Sequence, residues 1–297
     1  MKIKIKEKSL KNLKIFAEKN RLKYKNSKPY PHIVIKNFFD KEFLKKILKE
    51  FPDLSKKKTS INYKNKNEVK FANNKKSIFK KNTKLIFKYL NSSKFINFLQ
   101  ILTSIDEAIL PDNTLSGGGL HEIKRGGMLK IHTDFNKHPF RNLDRRLNVL
   151  IYLNKNWKIT YGGYLELWDK SMKKCEKKIL PTFNTMVIFS TNDFTNHGHP
   201  NSLKCPKNTS RKSIATYYFS KGRPKQEVIQ SYKKNRTEFK NRAGISNDVL
   251  IKSEYMKNIF RKIKIYKIIK NFEKRYIRTG SSAKKRKNQF WRDGRVV

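Results

Sequence analysis

The chain has 297 residues, 37% hydrophobic and 12% aromatic, which is enough for a packed core and argues against wholesale disorder. Its two cysteines, Cys175 and Cys205, stand 30 residues apart with no CxxC pair. That argues against a disulfide framework or a cysteine-based zinc site and favours a reducing, cytoplasmic setting. The formal net charge is +48, which suggests a polyanion partner because dense Lys and Arg neutralise phosphates. Yet 56 Lys stand against 15 Arg, beside abundant Asn and Ile, and the charge is spread along the chain rather than gathered in a stripe. Compositional drift therefore outweighs dedicated nucleic-acid binding, although Glu is scarcer than drift alone predicts.

The N-terminus alternates Lys with apolar residues and lacks an apolar h-region, so no secretory signal is expected. The longest apolar runs are strand-sized, too short for a membrane span. Residues 1–28 read as a basic N-terminal arm or a short, weakly amphipathic helix through Leu10, Leu13, Ile15 and Phe16. A turn at Pro29 and Pro31 leads into a short strand at His32-Ile33-Val34-Ile35. Asp40 is placed to cap a helix carrying Phe43, Leu44, Ile47, Leu48 and Phe51, which Pro52 ends. Residues 55–82 are polar and read as a surface excursion. Two helices split near Asn91-Ser92-Ser93 fit the apolar spacing of 85–102. From residue 115 glycines punctuate strand-like runs at 128–132, 147–153, 164–168, 185–190 and 213–220. Many short strands divided by Gly, Pro and Asn turns predict a mainly β sandwich or jelly roll with flanking helices. After residue 222 the pattern returns to helix, chiefly over 249–277, before a basic tail at 280–297.

The chain has six histidines, and three fall in two clusters inside the strand-rich region. In Ile131-His132-Thr133-Asp134, positions i and i+2 of an extended strand share a face, so His132 and Asp134 can hold one metal. Some 65 residues on, Asn196-His197-Gly198-His199-Pro200 offers a further imidazole from His197 or His199, which would face the same way on a regular strand. Two imidazoles and one carboxylate are the set that leaves positions open on non-haem iron(II), as O2 chemistry requires. Arg211 begins the strand that follows, and a guanidinium fork there suits the distal carboxylate of a dicarboxylic cosubstrate. Ser213, two residues on, shares its face and can add a hydrogen bond.

Together these residues resemble the prolyl 4-hydroxylase-like group of the 2-oxoglutarate-Fe(II) oxygenase superfamily. The resemblance takes in Gly119-Leu120-His121-Glu122, Arg125-Gly126-Gly127, His132-Thr133-Asp134 and Arg145-Arg146-Leu147-Asn148. It continues through Tyr152-Leu153-Asn154, Tyr161-Gly162-Gly163, His197-Gly198-His199-Pro200 and Arg211-Lys212-Ser213. It implies a double-stranded β-helix, a cupin-like jelly roll, over residues 29–221, with helical support at 29–114 and the core at 115–221. A basic helical extension and tail occupy 222–297. It further implies Fe(II), O2 and 2-oxoglutarate as cofactors, with ascorbate as an accessory reductant. His132, Asp134 and His197 would be the metal ligands and catalytic centre, and Arg211 with Ser213 the cosubstrate anchor. The product would be a hydroxylated peptidyl residue or small molecule, released with succinate and CO2. The carboxylate of Asp134 favours hydroxylation over halogenation. His197 is preferred to His199, and His121 is a pocket candidate. One departure stands out: the Tyr that often precedes the metal motif is missing, since those positions read Met128-Leu129-Lys130. The rival readings are a basic polyanion- or nucleic-acid-binding protein on a jelly-roll scaffold, and a cupin-like metalloprotein without 2-oxoglutarate.

Overall fold

Where apolar residues recur at helical spacing, the computed structural model forms α1 (Leu13–Lys25), α2 (Lys41–Glu50), α3 (Lys81–Leu90) and α4 (Ser93–Thr103). It describes residues 13–228, 236–245 and 248–249. Except for Val249, the helix expected over 249–277 and the tail at 280–297 lie outside the described residues, as do residues 1–12 of the arm. The Asp40 carboxylate accepts the Phe43 N–H at 2.8 Å and so starts α2, a cap worth about 1 kcal/mol. Ser92 caps α4 in the same way through the Phe95 N–H. The first helix, taken from the segment read as an arm, is packed: Leu13, Ala17 and Tyr24 are buried, and Phe16 meets Phe98 of α4.

The strands are β1 (His32–Lys36), β2 (Ile61–Lys64), β3 (Glu68–Asn73), β4 (Leu110–Pro111), β5 (Gly119–Lys124), β6 (Met128–Thr133) and β7 (Asp144–Tyr152). They continue with β8 (Leu165–Trp168), β9 (Cys175–Ile179), β10 (Thr185–Ser190), β11 (Asn196–His199), β12 (Ser210–Ser220) and β13 (Glu238–Phe239). Neighbours run β1-β10-β7-β12-β5-β3-β6-β11-β8-β9, and every strand pair is antiparallel. β1, β10, β7, β12 and β5 form one layer of a jelly roll, and β6, β11, β8 and β9 form the other. β3 pairs with both β5 and β6 and joins the layers.

Because successive side chains alternate faces, each layer sorts its residues. Leu147, Val149, Ile151, Met186, Ile188, Ile214 and Tyr218 pack outward into the core shared with the helices. Tyr152, Val187 and Phe189 point inward and meet Leu165 and Leu167 of the opposite layer. The metal motif is thereby set inside the roll, between the layers.

Two segments differ from expectation. The excursion at 55–82 contains the β2–β3 hairpin, whose Lys and Asn residues mask a strand that gains its order from backbone pairing with β5 and β6. In the extension after 222, expected to be helical, the described residues contribute β13, which pairs with β6. No helix of the described residues is long and apolar enough to cross a membrane.

Candidate metal centre and cosubstrate pocket

β6 and β11 lie side by side with His132 directly opposite His197, and their ring centroids are 4.5 Å apart. Asp134 follows just past the end of β6. The Asp134 carboxylate stands 3.3 Å from His197 Nε2 through Oδ2 and 3.7 Å from His132 Nε2 through Oδ1. All three residues are buried, and one ligand atom from each lies within 4.8 Å of the others.

The histidine tautomers suit a metal. Nδ1 of His132 donates to the Lys130 carbonyl at 2.8 Å, and Nδ1 of His197 to the Thr195 carbonyl at 3.1 Å. With the proton held on Nδ1, each Nε2 keeps its lone pair for an ion. Burial, and then the neighbouring His197, lower the pKa of His132, which favours the neutral, ligating form. The donor set, two imidazole nitrogens and one carboxylate oxygen, fits iron(II) with positions left open.

β11 is not regular between the two candidate histidines. His197 pairs with His132 but His199 pairs with Leu129, so a bulge falls at Gly198. A Cβ on Gly198 would lie 2.7 Å from the carbonyl oxygens of both Leu129 and Lys130. His199 is buried outside the ligand cluster, where burial, then Arg211 and Lys70, hold its pKa well below the usual imidazole range.

Arg145 is the residue that sequence reasoning missed. Its Nη2 lies 3.0 Å from Asp134 Oδ2, and Nε and Nη2 donate to Asn148 Oδ1 at 3.0 and 2.6 Å. Asn148 Nδ2 donates to the same Asp134 oxygen at 2.8 Å. The guanidinium is stacked, with its carbon 3.4 Å from the centroid of Tyr217 and 4.5 Å from that of Phe135. Burial alone would raise the Asp134 carboxyl; Arg145, then His197, hold it well below the usual carboxylate range. Strict alternation along β7 would place Arg145 with Leu147, on the outer face. The register against β12 slips between Tyr218 and Phe219, which turns Arg145 inward beside Asn148. Arg146 reaches Glu107 instead.

Arg211 and Ser213 lie on β12, both buried. Arg211 Nε donates to the Gly163 carbonyl at 2.9 Å and Nη2 to the Tyr152 hydroxyl at 3.2 Å. No ion pair among the described residues gives this guanidinium a carboxylate. Gly163, at φ +71°, allows the approach, since a Cβ there would lie 3.1 Å from Arg211 Cδ and 2.5 Å from Leu203. His121, Ser213 and Tyr152 stand in register across β5, β12 and β7. Burial, then Lys70, lower the His121 pKa to about 3, so it is neutral. Tyr152 supplies a phenol beside Arg211. Asn148 and Tyr152 are four residues apart on the inner face of β7, roughly 13 Å. One touches the Asp134 carboxylate and the other the Arg211 guanidinium.

Comparison with known proteins agrees with this geometry. Residues 118–219 match the model of the 2OG-Fe(II) oxygenase superfamily. No curated protein matches the sequence. A prolyl hydroxylase from Trichoplax adhaerens, solved with a peptide fragment of a hypoxia inducible factor oxygen degradation domain, superposes with a TM-score of 0.50 at 19% identity. That alignment covers 71% of this chain and 92% of the other, and shows the shared fold. A prolyl 4-hydroxylase from Phytophthora capsici aligns at 19% identity over 71% of this chain and 64% of its own, with a TM-score of 0.48. Through residues 118–219 the chain belongs to the 2OG-Fe(II) oxygenase superfamily and is an iron(II)- and 2-oxoglutarate-dependent dioxygenase.

Proposed function

We propose that this oxygenase is a hydroxylase whose iron is held by His132, Asp134 and His197, and whose 2-oxoglutarate is held by Arg211 with Ser213 and Tyr152. The observation that carries the assignment is the juxtaposition, between the two layers of the roll, of a three-donor cluster and a buried guanidinium without a carboxylate partner among the described residues. Bound iron and 2-oxoglutarate supply the oxidising power, one O2 atom leaving in succinate and the other entering the substrate, with loss of CO2. The chain's own residues do the positioning. His132 and His197 present Nε2 because backbone carbonyls hold the opposite nitrogen's proton. Arg145 and Asn148 hold Asp134 Oδ2, so that Oδ1 would be available to an ion. The fork of Arg211 would donate to the distal carboxylate of the cosubstrate.

The oxygenase domain is taken to run over 29–221, and its substrate is a peptidyl residue or a small molecule. A cytoplasmic setting is supported by the free thiols of Cys175 and Cys205. The polyanion-binding reading gains no support from the family match. The test is succinate formation from 2-oxoglutarate with Fe(II) and ascorbate, in wild type and Asp134→Ala, beside anaerobic titrations. Succinate from the wild type alone is expected; a wild type that binds neither iron nor 2-oxoglutarate overturns the assignment.

A further inference from the structure

The family match ends at residue 219 and the last long strand at Ser220, yet the chain returns to the strand that carries His132. β13 pairs with β6 so that Glu238 lies opposite Thr133 and Phe239 opposite His132. The Lys240 N–H donates to the Ile131 carbonyl at 2.8 Å. Directly opposed residues share a face, and the half-buried Phe239 ring lies 5.7 Å from the His132 ring.

A second fastening lies close by. Buried Asp248 accepts Lys130 Nζ at 2.8 Å, Arg242 Nε at 2.9 Å and Arg242 Nη2 at 3.0 Å. Lys130 precedes His132 by two residues on β6, so both fastenings grip the metal strand. The Ala243 N–H reaches the Met172 carbonyl at 3.2 Å, and Arg242 Nη1 reaches Asn201 Oδ1 at 3.3 Å. These contacts tie the segment to the loops after β8 and β11. The pairing of β3 with β6 stops at Leu129, so β13 covers the edge of β6 that would otherwise be left open next to the ligand. An uncovered edge frays and admits water.

We propose that residues 236–245 with Asp248 form a clasp that completes the active site. Asp248 gathers Lys130 and Arg242 and seats β13 on β6, and Phe239 becomes an apolar wall beside His132. The clasp holds His132 in place, keeps water from its imidazole and limits the width of the substrate's approach to the metal. The proposal rests on His132 being a metal ligand.

The test uses the full chain loaded with Co(II), following release of the ion to a chelator and amide hydrogen exchange along β6. Asp248→Asn is expected to release Co(II) about tenfold faster than wild type, and Phe239→Leu to stay within about twofold of it. Phe239→Ala should also release the ion faster, and Asp248→Asn should lose exchange protection at 131–133. The behaviour of Phe239→Leu separates loss of the wall from misfolding. Wild-type release and protection in both Asp248→Asn and Phe239→Ala would overturn the clasp while leaving the metal site standing. A wild type that takes up no Co(II) overturns the ligand assignment, and the clasp with it.

Discussion

A carboxylate buried beside two imidazoles would sooner take a proton than keep its charge, unless a cation stands against it. Arg145 is that cation, and it is held rigid by Asn148 and by the faces of Tyr217 and Phe135. Arg145→Gln is expected to weaken Mn(II) binding about 10- to 100-fold by calorimetric titration. It should also cost about 3–5 kcal/mol in denaturant unfolding, because Asp134 is left buried and unpaired. Arg211 should behave in the opposite way. Its guanidinium is buried against neutral groups, so Arg211→Met removes an uncompensated charge. The variant is expected to lose 2-oxoglutarate binding, keep Mn(II) binding and melt no lower than wild type, read by titration and thermal denaturation. At this scale the clustering of His132, Asp134 and His197 was legible from their spacing together with the ordered motifs around them, whereas the anchor role of Arg211 is a proposal. Arg145 was not, since a β-bulge reverses its face and no pattern of residue types announces a bulge.

Elements place these residues, and irregularities in the elements matter more than their length. The bulge at Gly198 lets β11 keep His197 opposite His132 while His199 slips to Leu129. Gly198→Ala would push a methyl group into two β6 carbonyls. The strands must then part, and metal affinity is expected to fall at least about tenfold by Co(II) titration with the fold retained by circular dichroism. Helix boundaries were legible where caps announce them, as at Asp40 and Ser92. The strand 185–190 was legible as a continuous apolar run. The β2–β3 hairpin was hidden because its order comes from long-range pairing, and Lys70 and Asn73 give no local hint of that. β13 was hidden for the same reason: two residues carry no periodicity.

At the scale of the whole molecule, the site joins both layers of the roll. His132 and His197 come from one layer, Arg145, Asn148, Tyr152 and Arg211 from the other. A ligand that bridges them should bind the folded chain and not the unfolded one. Mn(II) with 2-oxoglutarate at a hundredfold excess over its dissociation constant is expected to stabilise the protein by about 2.7 kcal/mol, roughly 5–10 °C in melting temperature. His132→Ala should show no such shift in a thermal-shift assay. The mainly β architecture was legible from the strand spacing after residue 115. The joining of the layers by β3 was not, because it depends on register rather than composition.

β9 stands at one end of the strand order, and among the described residues it pairs with β8 alone. Such a margin offers a row of unused amides and carbonyls to any strand that drifts past, which is how soluble proteins begin to aggregate. Here the margin carries Glu176, Lys177 and Lys178 in succession, all exposed. Adjacent lysines on a strand send one ammonium to each face, so an approaching copy meets like charge from either side. Lysines placed on such a margin disfavour pairing with another strand, a use of charge that requires no polyanion.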